Sequence, residues 1–278
     1  MSNKKVFTNS QVEDIISLYT NEKISMSKIG EKYDCTKNVI KRILTENNIE
    51  IKKDNHKYYA DYGKFEIIDT PEKAYWLGFI AADGCNYQRK GNATVLINIS
   101  QKDISHLEKF KKFMNSNVNI HKFTQSAGFC NKEHPSEMCK ISFNSVKMSN
   151  DLADKGIVPR KSLILEPPKI DEQYYLPFIL GYFDGDGSIY LGTTGTEYYI
   201  NIVGTKEILQ WINQTMGTNQ KLEQRHKTDK NTYYIRCGGI NKPYNFMKKL
   251  YDSCPVHLDR KYEIFCSLEA VVLSRNTE

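Results

Sequence analysis

Apolar residues of this chain concentrate in two runs, each followed by stretches in which apolar and polar positions alternate. The runs cover residues 76–84 (WLGFIAADG) and 179–187 (ILGYFDGDG), and each ends in an aspartate followed by a glycine. Apolar runs of this length, bounded in this way, predict two equivalent buried helices that end at Asp83 and Asp186. Gly84 stands where a left-handed C-terminal cap favours a residue without a Cβ atom.

Each run also carries two small residues four positions apart, namely Gly78 with Ala82 and Gly181 with Gly185. Residues four apart share one helix face, and small side chains there let two backbones approach closely. The two helices are therefore expected to pack through this interface and bring their terminal acids together. Because helix C-termini carry partial negative charge, paired acids there need a cation. The alternative is two unrelated buried helices that end in common Asp-Gly turns.

The alternating stretches that follow each run predict half-buried strands. Residues 95–100 and 199–203 place their isoleucines inward, and residues 85–89 and 188–192 precede them across short turns. Two-stranded ribbons with polar outer faces fit the major groove of DNA, although such a face more often meets only solvent. The residues predicted to contact DNA from these ribbons are Asn86, Gln88, Arg89, Asn98, Ser188, Tyr190, Thr194, Tyr199 and Asn201.

The chain repeats itself at a spacing of 103 residues, which separates Asp83 from Asp186 and the stretch 97–99 from 200–202. The fold class predicted is α+β, with two pseudo-symmetric αββαββα halves that form a DNA-binding saddle behind a small all-α domain. The predicted domains are a helix-turn-helix domain (1–50), a basic linker (51–63), a first half (64–170) and a second half (171–278).

The first fifty residues predict three short helices with a sharp turn before the third. That order is typical of helix-turn-helix units, in which the last helix enters the major groove. The outward positions of the third helix are Lys37, Asn38, Lys41 and Arg42, whose side chains suit phosphate and base-edge contacts. An ordinary three-helix bundle with a solvated basic face is the alternative.

Composition adds modest constraints. The chain has 278 residues, with 39 Lys and Arg against 33 Asp and Glu, so its net charge of +6 is compatible with nucleic acid as a partner. Seven cysteines lack any C-x-x-C pair, which favours reduced thiols and a cytoplasmic protein. No signal peptide is recognisable, and the apolar runs are too short to span a bilayer.

Residues 181–187 (GYFDGDG), together with the related 78–84, resemble the LAGLIDADG homing endonuclease family in its single-chain, two-motif form. The resemblance implies a monomeric, sequence-specific endonuclease that cuts double-stranded DNA at a long asymmetric site with Mg²⁺ or Mn²⁺. It implies metal contacts from Asp83, Asp186 and the carbonyls of Ala82 and Gly185, and catalytic roles for Lys161, Lys261 and Gln101. Gly204 is expected at the place of a second glutamine, which implies unequal cleavage of the two strands.

Two other functions remain open from the sequence. The same fold serves regulators and RNA maturases that bind without cutting, but such proteins typically lose one or both motif acids, and this chain has both. A transposase-like recombinase would need a third catalytic carboxylate, for which the sequence offers no clear candidate. The sequence leaves open whether the gene is free-standing, intron-encoded or carried by a phage.

Overall fold

The computed structural model describes residues 7–22, 24–51, 58–125, 135–224 and 231–276. The chain separates into two compact units, Met1–Lys57 and Tyr58–Glu278. The predicted linker (51–63) is shorter than expected, because the backbone of Tyr59 and Asp61 hydrogen bonds to residues 114–117 of the second unit. Its basic residues Lys52, Lys53, His56 and Lys57 lie outside the described residues.

The described part of the first unit contains three helices at the places that the hydrophobic pattern indicated: α1 (Asn9–Thr20), α2 (Met26–Lys32) and α3 (Lys37–Glu46). Thr8 begins α1 with a capping box, and the Ser25 hydroxyl accepts from the backbone of α2. The core consists of Ile15, Leu18, Ile29, Ile40, Ile43 and Leu44. Between α2 and α3, Asp34 takes a positive φ of 48°. A Cβ atom on Gly30 would lie 2.6 Å from the carbonyl oxygen of Cys35, so this turn requires glycine.

The second unit begins with one αββαββα half. Its elements are α4 (Pro71–Asp83), β1 (Gly84–Arg89), β2 (Asn92–Ser100), α5 (Ile104–Phe113), β3 (His121–Gln125), β4 (Ser136–Asn144) and α6 (Val146–Asp154). A short 3-10 turn, Gln101–Asp103, joins β2 to α5, and the strands form one antiparallel sheet in the order β1-β2-β4-β3.

The same order recurs in the second half. Its elements are α7 (Tyr175–Asp186), β5 (Gly187–Leu191), β6 (Tyr198–Gly204), α8 (Lys206–Met216), β7 (Glu223–Gln224), β8 (Tyr233–Gly239) and α9 (Asn241–Tyr251), followed by a further helix, α10 (Asp259–Asn276). The sheet order is β5-β6-β8-β7, the counterpart of the first sheet. The predicted α+β class with a duplicated αββαββα unit is therefore confirmed.

Helices α4 and α7 lie in the centre of the core that both halves share. They are apolar on all sides, as expected for buried helices. The left-handed cap expected at Gly84 is not found, since Gly84 is extended at φ −83°, and Gly187 is likewise extended at φ −95°. Glycine is needed there for space, because a Cβ atom would lie 2.6 Å from the carbonyl oxygens of Ile80 and Phe183 respectively.

The two halves differ in the length of their first hairpin. Gly84 pairs with Ile97 in the first sheet, whereas Gly187 pairs with Ile202 in the second. The offset between the halves is therefore 103 residues at these glycines and 105 at these isoleucines. The sequence repeat predicts that residues 97–99 and 200–202 are equivalent. This correspondence is wrong by two positions, because the turn between β5 and β6 is longer than the turn between β1 and β2.

Candidate functional site

The site begins with the close packing of the two central helices. A Cβ atom on Gly78 would lie 2.0 Å from the carbonyl oxygen of Phe178, and one on Gly181 would lie 1.9 Å from that of Tyr75. At Gly185 it would lie 2.3 Å from the Cβ atom of Ala82. These four small residues thus lie in the helix–helix contact, where no larger side chain fits without separating the backbones.

This packing brings the two motif acids to the same end of the helix pair. The position of a Cβ atom on Gly185 is only 3.4 Å from Cγ of Asp83, and Asp186 is the next residue of α7. Burial, followed by the negative charge of Asp186, raises the pKa of Asp83 to about 6. Desolvation also raises the pKa of Asp186, which is the more exposed of the two. Two carboxylates that resist ionising together favour a bound cation between them.

Both predicted lysines lie beside these acids, but their ammonium groups make different hydrogen bonds. The Lys161 ammonium donates to the carbonyl of Ala82 at 3.2 Å, its one hydrogen bond to the described part of the chain. The Lys261 ammonium donates to the carbonyls of Phe183, Asp184 and Gly187 at 2.6–2.7 Å, so all three of its donors contact the end of α7. Lys261 therefore caps that helix, whereas Lys161 retains donors for a ligand. Burial lowers the pKa of both, that of Lys261 to about 8.

A second buried acid, Asp184, fixes the segment that carries Lys261. One carboxylate oxygen accepts from the Tyr75 hydroxyl at 2.6 Å and from the backbone N–H of Leu258 at 2.7 Å. The Tyr75 hydroxyl is also 3.0 Å from Nε2 of His106, which joins α4, α5 and α7 in one network. The first motif has Ala81 at the equivalent place, so the first half has no counterpart of this acid.

The start of α10 is also bound to the first half by charged groups. Arg260 contacts both carboxylate oxygens of Asp103 at 3.1–3.2 Å, and Lys109 donates to the carbonyl of His257 and pairs with Asp259. Asp103 closes the 3-10 turn that begins at Gln101. The predicted catalytic Gln101 and Lys261 therefore belong to segments that contact one another although they come from different halves.

The corrected offset also changes the counterpart of Gln101. Ser100 and Thr205 cap the turns that follow β2 and β6, so Gln101 corresponds to Lys206 rather than to Gly204. The expectation that Gly204 takes the place of a second glutamine is wrong for this reason. The second half therefore has a lysine, Lys206, where the first half has Gln101.

The outer face of the first sheet differs from the predicted one along β1. Asn86 is buried, and its amide donates to the carbonyls of Ser149 and Ile157 at 3.0 and 2.9 Å. Gln88 shares this inner side and donates to the Ser149 hydroxyl at 2.9 Å. The prediction that both face DNA is wrong. A buried, fully bonded asparagine occupies the inward position that Ile189 has in the second half, and Gln88, although exposed, lies on the same side of the strand, opposite the buried Ala93.

The outer side of the first sheet is instead defined by the strand register. The pairs Cys85–Leu96, Tyr87–Thr94 and Arg89–Asn92 alternate with the buried pairs. Asn98 faces the same way, opposite Lys140 of β4. Of the predicted DNA contacts in this half, Arg89 and Asn98 therefore lie on the outer face, and Cys85, Tyr87, Thr94, Lys140, Ser142 and Asn144 share it.

On the second sheet the predicted polar positions do lie together on the outer face. Ser188 pairs with Asn201 and Tyr190 with Tyr199, whose rings stack at 5.6 Å, while Thr194 lies in the turn between the strands. Arg236 of β8, which the hydrophobic pattern did not single out, has its guanidinium 4.4 Å from the Tyr199 ring. Arg236 and Tyr234 line an open depression of about 340 Å³ with Tyr190, Asn201 and Val203. Apolar and polar residues alternate over positions 233–237, and this pattern already indicated that Arg236 lies on the outer face.

In the first unit, Lys37, Asn38 and Lys41 are exposed on α3, and Arg42 is partly exposed beside Glu46 at 3.6 Å. Their positions agree with an outward face of this helix.

Regarding metal ions, the described residues contain no cluster of three or more His, Cys, Asp or Glu side chains that could hold one. The two motif acids and the nearby carbonyls of Ala82 and Gly185 still form an all-oxygen donor set, which suits Mg²⁺ or Mn²⁺ bound through few protein ligands. The raised pKa of Asp83 fits this interpretation, because a cation would offset the repulsion that opposes ionisation.

Comparisons with solved structures support the fold. A lysine-to-alanine point mutant of I-SmaMI matches with a TM-score of 0.50 at 12% identity, covering 74% of this chain and 93% of that one. I-SmaMI is a LAGLIDADG homing endonuclease. This chain has the LAGLIDADG fold. No protein-family model matches the sequence, and no curated protein matches it either.

Two further structures with the LAGLIDADG fold give lower scores. I-GzeII in complex with its DNA target matches with a TM-score of 0.48 at 11% identity, covering 74% of this chain and 92% of that one. I-LtrWI bound to target DNA matches with a TM-score of 0.46 at 11% identity, covering 76% and 92%. Among the helices of the described residues, none has both the length and the apolar character of a membrane span.

Proposed function

We propose that this protein is a sequence-specific, divalent-metal-dependent endonuclease that hydrolyses both strands of a DNA duplex at a long asymmetric site. The observation that carries the proposal is the pairing of Asp83 and Asp186 at one end of two closely packed helices, beside the buried lysines Lys161 and Lys261. The fold that this chain shares with I-SmaMI, a LAGLIDADG homing endonuclease, also supports the proposal.

In this proposal, each residue of the site has a separate role. Asp83 and Asp186, with the carbonyls of Ala82 and Gly185, would hold Mg²⁺ or Mn²⁺, which activates water and stabilises the leaving oxygen. Lys161 retains donors with which to contact a phosphate oxygen, and Gln101 would orient water. Lys261 holds the end of α7 and supplies positive charge behind the acids.

DNA would lie across the outer faces of the two sheets. Each face presents polar and cationic side chains, including Arg89 and Lys140 on the first sheet and Arg236 on the second. Since one chain supplies both acids and both sheets, a monomer is sufficient. The α3 helix, through Lys37, Asn38, Lys41 and Arg42, would add a second DNA contact.

Selection from a library tests the function even though the target sequence is unknown. The protein is incubated with Mg²⁺ and a library of random or genomic duplexes, and the new ends are sequenced. A single extended consensus that disappears with EDTA and with the double variant Asp83→Asn/Asp186→Asn supports the proposal. Enrichment of bound but uncut DNA by the wild-type protein identifies a non-catalytic binder or maturase instead.

A further inference from the structure

The two motif helices differ in one hydroxyl group close to their acids. Tyr182 lies four residues before Asp186 on α7, and Phe79 lies four residues before Asp83 on α4. Both aromatic side chains are about 1% exposed. Residues four apart on a helix are neighbours on one face, so each ring lies beside the acid of its own helix. The second acid therefore has a polar neighbour where the first has none.

The strand beside each ring differs in a complementary way. With the offset of 105 residues, Gly204 of β6 corresponds to Ile99 of β2, which is buried. A Cβ atom on Gly204 would lie 2.7 Å from the Tyr182 hydroxyl oxygen. Gly204 has no positive φ that would demand glycine. The absent side chain thus makes room for the hydroxyl, and the first half has isoleucine and phenylalanine at the two equivalent positions.

The Tyr182 hydroxyl has two acceptors within reach. It donates its single proton to the carbonyl of Val203 at 3.0 Å, and the carboxylate of Asp186 is the alternative acceptor, since the hydroxyl lowers the pKa of Asp186 against the effect of burial. A hydrogen bond to an ionised acceptor is about twice as strong as a neutral one. A buried tyrosine that is bonded to the end of β6 and lies one helical turn from Asp186 would limit the orientations that this carboxylate can adopt.

We propose that Tyr182 is a positioning residue for Asp186, and that its hydroxyl, accommodated by Gly204, orders this carboxylate toward a divalent cation in a way that Asp83 lacks. The inference rests on the proposed function. Groups that orient a metal-binding carboxylate affect metal affinity or activity by about 10- to 100-fold. The two strands of the target are therefore cut with unequal dependence on Tyr182.

The first test needs no DNA. Mn²⁺ binding is measured on the full chain by the electron paramagnetic resonance signal of the free ion, for the wild type, Tyr182→Phe and Tyr251→Phe. Tyr251 is a partly buried tyrosine whose hydroxyl oxygen is buried and finds no hydrogen-bond partner among the described residues, so it is a suitable control. Tyr182→Phe is expected to weaken Mn²⁺ binding about 10-fold, with Tyr251→Phe unchanged. Equal affinity of all three proteins, or no binding by the wild type, overturns the proposal.

The second test uses a duplex with each strand labelled separately. Tyr182→Phe is expected to slow one strand about 10-fold and to leave the other within about twofold. Gly204→Ala, whose methyl group meets the hydroxyl, should slow the same strand, and the double variant should be no slower than either single variant. Equal slowing of both strands together with a lower Tm indicates a packing role alone and refutes the assignment. Absence of cleavage by the wild type contradicts the proposed function, while the Mn²⁺ test still decides the role of Tyr182.

Discussion

At the residue scale, the chemistry of the site depends on acids kept in an environment that opposes their charge. Burial and the charge of Asp186 raise the pKa of Asp83, and burial raises the pKa of Asp184, each to about 6. The loss of solvation on burial is compensated differently at these two carboxyl groups. Asp184 accepts hydrogen bonds from Tyr75 and Leu258, whereas no donor to Asp83 is found among the side chains described. The charges of Lys261 and Lys161 offset part of the shift at Asp83, and a bound cation would offset more of it.

The raised pKa of Asp83 predicts how metal binding depends on pH. Below about pH 6 a cation must displace a proton from this carboxyl, so affinity for Mn²⁺ should increase by up to about tenfold per pH unit up to pH 6 and become constant above about pH 7. Calorimetric titrations from pH 5 to 7.5 measure this dependence. A constant affinity across the range would contradict the account.

The same shift has a consequence for stability without metal. The folded state holds this proton more tightly than the unfolded state, whose pKa is near 3.8, so folding is favoured below about pH 4. That contribution is lost as the pH rises from about 4 through about 6. Mn²⁺ should therefore raise the Tm more at pH 7.5 than at pH 5.

The residue types of the site were visible in the sequence, but their partners were not. The acids at the ends of two similar runs were sufficient to predict a pair. The three carbonyls that engage Lys261 come from the turn at the end of α7, and Arg260 meets Asp103 across 157 positions. Contacts over such separations depend on how the halves pack, which no local pattern encodes.

At the element scale, hydrophobic periodicity located the helices and strands well and failed at one strand face. The inward position of β1 is occupied by Asn86, a polar residue whose amide is satisfied by Ser149 and Ile157. Alternation alone assigned it to the outside, since a buried polar residue looks like a surface residue in sequence. In β5 the inward position is Ile189, and there the prediction of the outer face agrees with the structure.

The corrected assignment of the strand faces leads to opposite expectations for Asn86 and Arg89 of β1. Asn86→Ala leaves buried carbonyls without their donor, so the free energy of unfolding should fall by about 2 kcal/mol, with little change in DNA affinity once folded. Arg89→Ala on the outer face should keep the Tm and weaken DNA binding, with a reduced dependence on salt. Denaturant unfolding and filter binding at two salt concentrations measure both. Weaker DNA binding by Asn86→Ala without loss of stability, together with unchanged DNA binding by Arg89→Ala, would support the original prediction that Asn86 faces DNA.

At the scale of the whole molecule, duplication explains why one chain presents two similar acids in dissimilar surroundings. The halves share their order of elements and their sheet topology. They differ in the hairpin length, in Ala81 against Asp184, in Phe79 against Tyr182, and in Gln101 against Lys206. The offset of 103 residues was readable from the motifs, but the change to 105 was not, because the extra residues lie in a turn without hydrophobic pattern.

The division into two units predicts that the second one functions without the first. The unit Tyr58–Glu278 has its own core, and α1–α3 have a separate one. Removing residues 1–57 should leave the Tm of the second unit and metal-dependent cleavage at high protein concentration intact, and should raise the Kd for DNA. Cleavage assays over a range of protein concentration measure this. Loss of all cleavage by a folded, truncated chain would show that the first unit is part of the catalytic machinery.

The most direct test of the paired acids is plasmid linearisation by two single variants at a selected target site. Asp83→Asn and Asp186→Asn should each bind the site and convert no supercoiled plasmid to linear product, because each carboxylate is needed to hold the cation. The wild type should linearise the plasmid with Mg²⁺ and leave it intact with EDTA. Linearisation by either variant at the wild-type rate would contradict a joint metal site at the ends of α4 and α7.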